Sequence, residues 1–208
     1  MIKIKTNDGS TTYYSQEYKE TYHSKVGAIE ESLQKYIIPC KISKGKKILD
    51  VCFGLGYNTA TAMHTSTDLK IICLEKNKKL LKTIIYDLPI PEKLKKEYSI
   101  IKKLAKNLIY KDNNYSLKLI LGDATKTIKK ITEKFDAVFL DPFSPPKNPE
   151  LWTTEFLNNI YKLMKKGSIL ATYSCAKKVR KNLTKVGFKI IDGPKVGRRG
   201  PSTIAIKK

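Results

Sequence analysis

The chain is poor in several things that would point elsewhere. Of its 41 basic residues, only Arg180, Arg198 and Arg199 are arginine. It has four cysteines, Cys40, Cys52, Cys73 and Cys175, and no C-x-x-C pair, so neither a zinc knuckle nor a disulfide framework is expected. No apolar run approaches the roughly 18 residues of a membrane span. The opening Met-Ile-Lys-Ile-Lys lacks the apolar core of a secretory signal. These absences predict residence in a reducing cytoplasm, away from membranes. The phosphate-binding pattern G-x-x-x-x-G-K-[ST] is also missing, which argues against nucleotide triphosphate hydrolysis.

What is present suits one globular α/β unit. At 208 residues, 41% hydrophobic and 29% charged, the chain is long enough to bury about 70% of its unfolded surface without staples. The net charge of +22 is carried almost wholly by lysine. Such a field attracts polyanions. Yet a surface tuned for phosphate favours the planar fork of arginine, so compositional bias of the coding sequence explains the lysines equally well.

Periodicity divides the chain into two stretches. Residues 1–44 read as a β-hairpin turning at Asn7-Asp8-Gly9, then a helix over Val26–Ile38 that Pro39 stops. Residues 45–208 alternate strands and helices. Candidate strands are Ile48–Cys52, Ile71–Leu74, Leu117–Leu121, Ala137–Leu140, Ser168–Tyr173, Lys189–Ile191 and Thr203–Ile206. Helices between the earlier strands imply right-handed crossovers and a mostly parallel, Rossmann-like sheet. The last two strands are too close for a crossover and should pair as an antiparallel hairpin at one edge. Pro89 and Pro91 split residues 76–116 into two helices, the second over about Lys93–Ile109.

Three elements at strand ends suggest a nucleotide site. Strand Ile48–Cys52 runs into Phe53-Gly54-Leu55-Gly56-Tyr57-Asn58, where glycine permits a tight turn and close backbone approach. Roughly twenty residues on, the next strand ends in Glu75, placed to accept hydrogen bonds from ribose hydroxyls. Gly122-Asp123 follows the third strand, within reach of an adenine amino group. Each has a plain alternative as a turn, a helix start or an N-cap. Their occurrence in order favours an adenosyl ligand, and two glycines in place of three argue against NAD. This sheet-and-glycine pattern resembles the class I methyltransferases, which implies S-adenosylmethionine as methyl donor, with no metal or flavin. That family's first motif usually begins with glycine where this chain has Cys52.

The most distinctive stretch follows the fourth strand: Asp141-Pro-Phe-Ser-Pro-Pro-Lys-Asn-Pro-Glu-Leu-Trp152. Four prolines preorganise the loop. A carboxylate beside a sulfonium suits transfer to an amine, since it orients the lone pair and takes up the released proton. Phe143 is a candidate for stacking on a base or, alternatively, a core residue; Trp152 reads first as core.

These residues resemble the methyltransferase domain of the MnmC family of tRNA 5-methylaminomethyl-2-thiouridine biosynthesis proteins, whose usual form is Asp-Gly-Phe-x-Pro-x-Lys-Asn-Pro-x-x-Trp. Tyr14-Ser-Gln-Glu-Tyr18, Gly27-Ala-Ile-Glu-Glu-Ser32 and the tail around Gly193-Pro194 and Gly197-Arg-Arg199 extend the likeness over nearly the whole chain. Pro142 departs from the family glycine. The flavin-dependent oxidase domain fused in many members has no counterpart in these residues, so the likeness is to a stand-alone form served by a separate enzyme that makes the aminomethyl precursor.

The resemblance implies methylation of the amine of 5-aminomethyl(-2-thio)uridine at the tRNA wobble position. Asp141 and Phe143 would be catalytic. Gln16, Glu31, Phe53, Gly54, Gly56, Asn58, Glu75, Gly122, Asp123 and Asp141 would bind the cofactor, with Gln16 and Glu31 at its methionine end under the amino-terminal segment. Lys147, Arg180, Arg198 and Arg199 would hold the anticodon stem-loop. His23 would line the pocket, not ligate a metal. Three alternatives stay open: a spermidine-synthase-like amine transferase, a relative of the D-P-P-[FY] base amino methyltransferases, and a catalytically silent RNA-binding module.

Overall fold

The computed structural model describes residues 1–208. An eight-stranded sheet forms the centre, built from β4 (Lys47–Val51), β5 (Leu69–Glu75), β6 (Ile109–Lys111), β7 (Tyr115–Leu121), β8 (Phe135–Leu140), β9 (Met164–Thr172), β10 (Phe188–Asp192) and β11 (Thr203–Lys207). Its spatial order is β10-β11-β9-β8-β4-β5-β7-β6. The pairs β4–β5, β5–β7, β4–β8 and β8–β9 are parallel. Alternate residues go to opposite faces, as the pleat requires. Ile48, Ala137 and Phe139 join a core of 32 buried residues on one side, while Leu49, Val138 and Leu140 join one of 21 on the other. This two-sided burial explains why the strands read as continuous apolar runs.

Helices cover both faces. On the first lie α1 (Ala28–Ser32), α2 (Tyr57–Thr65), α3 (Lys78–Tyr86) and α4 (Lys95–Asn107); on the second lie α5 (Ala124–Thr127), α6 (Thr154–Leu163) and α7 (Lys177–Val186). None is long and apolar enough to cross a membrane.

Both sheet edges are antiparallel. The β10–β11 hairpin forms, and β11 lies between β10 and β9. At the opposite edge β6 pairs antiparallel with β7, a strand absent from the periodic pattern, whose first residue, Ile109, falls at the end of the expected second helix. That helix stops at Asn107 because Leu108 adopts a left-handed conformation (φ 65°) and turns the chain back. Three residues, two of them exposed, carry too little apolar pattern to announce such a strand.

The amino-terminal segment forms a second, three-stranded antiparallel sheet of β1 (Ile2–Lys5), β2 (Thr11–Ser15) and β3 (Glu20–Thr21). It docks on α2 through the Tyr57 hydroxyl, which donates to the Thr11 carbonyl at 3.0 Å and accepts from the Thr11 amide at 3.1 Å. The hairpin turn also caps α1: Asp8 Oδ2 accepts from the amides of Ile29 and Glu30, each at 3.0 Å. Gly27 must be glycine, because a Cβ there would overlap the Asp8 carboxylate. The helix expected over Val26–Ile38 thus begins later, at Ala28. From Leu33 to Ile37 it widens into a π-turn, a distortion found mostly at functional sites.

Candidate active site

The sheet reverses its winding between β4 and β8, and the carboxyl ends of β4, β5, β7 and β8 open onto one cavity of about 780 Å³. This is the crevice where open α/β sheets bind ligands. Gly54, Asn58, Glu75, Gly122, Asp123 and Asp141 all line it, with Glu31, Phe143 and Arg198.

The turn after β4 is held by Glu75. Its Oε2 accepts from the Gly54 amide at 2.9 Å, and its Oε1 from the amides of Lys76 and Asn77 at 2.9 and 2.7 Å. Burial pushes the Glu75 carboxyl up, and these three amides draw it part of the way back. A carboxylate offers about four acceptor positions, so room remains for a hydroxyl donor from a ligand. Gly54 (φ 58°) presents its bare Cα towards the cavity, with no neighbour closer than 3.7 Å to a notional Cβ. Cys52 takes a left-handed conformation too (φ 70°), which a glycine adopts without the roughly 1–2 kcal/mol cost of a side chain. Asp123 caps α5, accepting from the Thr125 amide at 2.9 Å, and stays exposed at the rim.

Asp141 is held by a side-chain donor on each carboxylate oxygen. Tyr36 donates its hydroxyl to Oδ1 at 2.6 Å, and Asn58 donates Nδ2 to Oδ2 at 2.9 Å. Asn58 is fixed in turn by the Ser32 hydroxyl at 2.8 Å. Burial raises the Asp141 carboxyl above its usual range, while His23, Tyr36 and Asn58 hold part of that rise down. The π-turn is what brings Tyr36 onto Asp141. Sequence reading missed Tyr36 and Lys35, although each lies four residues beyond a cavity residue or its support, Glu31 and Ser32.

The loop after β8 is latched. Trp152 is buried and donates Nε1 to the Phe143 carbonyl at 3.0 Å, and the Tyr173 hydroxyl donates to the Pro142 carbonyl at 2.9 Å. Phe143 stacks on Tyr18, ring centroids 4.3 Å apart, and meets Tyr22 edge-on at 5.0 Å. Glu20 accepts from the Ser144 amide at 3.1 Å and from its hydroxyl. Lys76 sits 5.1 Å over the Tyr18 ring, and Arg198 lies 4.3 Å over Tyr173, which places cations at the aromatic mouth beside the carboxylates of Glu17, Glu20 and Glu150.

Several residues expected in the site lie outside the cavity. Gln16 is exposed in the turn between β2 and β3. Phe53 is buried, and its ring fills the space against Gly56, where a Cβ would come within 2.9 Å. Gly56 therefore serves packing and the start of α2. Arg180 is turned inward: it donates to Asp192 at 2.6 Å, to the Thr203 hydroxyl at 3.0 Å and to the Ser202 carbonyl at 3.1 Å. Its guanidinium ties α7 to the edge hairpin and is not free for phosphate. Lys147 and Arg199 are exposed outside the cavity. His23 lines the cavity, and His64 on α2 pairs with Glu97 at 3.1 Å.

Fold, glycine turn and strand-end carboxylates together define a class, and the sequence comparison agrees. The chain belongs to the S-adenosyl-L-methionine-dependent methyltransferases, whose profile matches residues 89–208. Within that class it is homologous to the methyltransferase region of MnmC. It is 29% identical to the tRNA 5-methylaminomethyl-2-thiouridine biosynthesis bifunctional protein MnmC of Leptospira interrogans, over 90% of this chain and 32% of that protein. An uncharacterized protein of Methanocaldococcus jannaschii is 35% identical over 99% of the chain and 59% of its own length. The chain thus spans about a third of the one relative and under two thirds of the other. The crystal structure of MnmC2 from Aquifex aeolicus superposes with a TM-score of 0.86 at 36% identity, covering 98% of this chain and 69% of that one. Spermidine synthase from Thermotoga maritima, at 12% identity and a TM-score of 0.61 over 95% of this chain and 68% of that one, shares the fold alone.

The residues present fit the family's cofactor. Glu75 has acceptor capacity for ribose hydroxyls, Gly54 and Gly122 allow backbone approach, and a buried pair, Glu31 and Lys35, stands at the cavity wall formed by α1 and its π-turn.

Proposed function

We propose that this protein methylates the primary amine of a 5-aminomethyl group on a tRNA wobble uridine, with or without the 2-thio group, in the cytoplasm. The observation that carries this reading is Asp141, a carboxylate with one donor on each oxygen, facing a cavity with stacked aromatic rings at its mouth. When bound, S-adenosylmethionine supplies an electrophilic methyl group on a sulfonium. Asp141 orients the attacking nitrogen by accepting one of its hydrogens, and takes the proton that nitrogen sheds on becoming a secondary amine. Tyr36 and Asn58 keep the carboxylate aimed while this happens.

Phe143 and Tyr18 offer a stacking platform for a base turned out of the anticodon loop, as recognition of single-stranded RNA commonly requires. Lys76, Arg198 and the exposed Arg199 and Lys147 supply charge for the neighbouring phosphates. In this reading residues 1–44 act as a cap over one end of the site, and a separate activity supplies the aminomethyl precursor.

The test gives the purified protein two tRNA preparations, one bearing 5-aminomethyluridine and one bearing 5-carboxymethylaminomethyluridine, with methyl-labelled cofactor. Label is expected in the first alone, since the second offers a secondary nitrogen with an acidic arm. Equal labelling of both, or transfer to free polyamine in place of RNA, overturns the assignment.

A further inference from the structure

The loop after β8 carries a polar side chain that the fold leaves half used. Asn148 is 4% exposed and lines the cavity. It holds the N-cap position of the 3₁₀ turn Pro149–Trp152, where an asparagine side chain normally accepts a backbone amide. Here it makes no such bond. Its Nδ2 donates instead to Glu150 Oε1 at 3.3 Å, and its Oδ1 has no partner within the chain. That oxygen is not sealed in the interior and opens onto the cavity.

A free amide reads a ligand ambiguously, because a half-turn exchanges its oxygen for its nitrogen. Glu150 removes that ambiguity. A carboxylate only accepts, so the end of the amide facing it is Nδ2. Asn148 therefore offers the cavity a fixed acceptor and, through the second Nδ2 hydrogen, a fixed donor. The edge of uracil complements both, since its N3–H donates and the adjoining carbonyl accepts. Cytosine would set a bare N3 lone pair against Oδ1, and it carries an amino group where uracil has O4.

We infer that Asn148, pinned by Glu150, reads the imide edge of the substrate base and makes the site select uracil over a cytosine bearing the same aminomethyl arm. One loop then supplies Asp141 for the amine, Phe143 for the ring and Asn148 for the edge. This rests on the proposed methyl-transfer function and adds to it the residue that tells one pyrimidine from the other.

Two anticodon stem-loop RNAs test it, one carrying 5-aminomethyluridine and the other 5-aminomethylcytidine at the same position, each given methyl-labelled cofactor. By kcat/KM the wild type should favour the uridine RNA roughly 10- to 100-fold, the range for a bidentate amide-to-base contact. Asn148→Ala should erase that preference by slowing the uridine RNA, with little change on the cytidine RNA. A variant that merely loosened the loop would slow both and keep the ratio. Glu150→Gln can donate as well as accept, so it should unpin the amide and narrow the preference by raising the cytidine rate. No preference for the uridine RNA in the wild type, or a preference kept in Asn148→Ala, overturns the inference and leaves the methyl-transfer function standing. A preference unchanged in Glu150→Gln overturns the pinning by Glu150. Label in neither RNA overturns the methyl-transfer function and this inference with it.

Discussion

Replacing Tyr36 by phenylalanine removes one oxygen from a fully buried ring and leaves its edge-on packing against Phe139, at 5.8 Å, in place. The missing hydroxyl is the donor to Asp141 Oδ1, a short bond to a charged group, which contributes about 1.5–3 kcal/mol. That energy stabilises only the ionised carboxylate, so its loss drives the already raised Asp141 carboxyl further up. Rate under single turnover should rise with pH through two events, ionisation of Asp141 and neutralisation of the substrate amine. Tyr36→Phe displaces only the first. On the acid limb the variant should run roughly 10- to 100-fold slower, and at alkaline pH it should converge on the wild type. The assay is methyl transfer to aminomethyl-bearing tRNA between pH 5 and 9, with thermal unfolding measured on the same samples. A uniform loss at every pH would show that Tyr36 only packs against its neighbours. An unshifted profile would remove Asp141 from the proton's path.

Three further predictions concern charged groups other than Asp141. Burial pushes the Asp50 carboxyl up to about 7, against the Thr59 hydroxyl and with the Asp141 and Glu75 charges, and its Oδ1 has no partner. A raised folded pKa means the stabilising contribution is whole below the unfolded value near 4 and is lost as pH climbs towards 7, at about 1.4 kcal/mol per unit. Asp50→Asn should therefore gain stability relative to wild type across that window and hold a constant advantage above it; denaturant melts showing a pH-independent difference would refute this. Arg180→Ala should cost about 1–3 kcal/mol of stability and leave the salt dependence of tRNA binding unchanged, because its donors are spent inside the chain. Arg198→Ala should do the reverse, lowering the slope of log K against log salt by about 1 in filter-binding titrations.

Much of the scaffold was legible because local rules and the tertiary fold agree. Buried parallel strands are short apolar runs, Gly54 marks a turn that needs positive φ, and Pro39 bounds the first helix. Glu75 and Asp141 were legible because each closes an apolar strand, and the end of such a strand at a winding reversal is where the cavity opens. What a linear reading missed depends on contacts far apart in the chain. Asp8 caps a helix that begins twenty residues later, so neither the delayed start at Ala28 nor the need for Gly27 shows in local pattern.

Side-chain direction was decided last of all. Arginine in a basic tail looks free for phosphate, yet Arg180 lies opposite Asp192 and Thr203 once the edge hairpin forms. Phe53 sits in the glycine motif but faces the core, and Gln16 sits in a family-like segment but faces solvent. Lys35 and Tyr36 reach the cavity from the widened turn between Leu33 and Ile37. The i,i+4 spacing from Glu31 and Ser32 puts both on the right side of the helix, but that Tyr36 meets Asp141 rests on a contact distant in the chain. Composition and periodicity settled the class of fold and the strand ends that open onto the cavity; packing alone selected which donors meet which carboxylate.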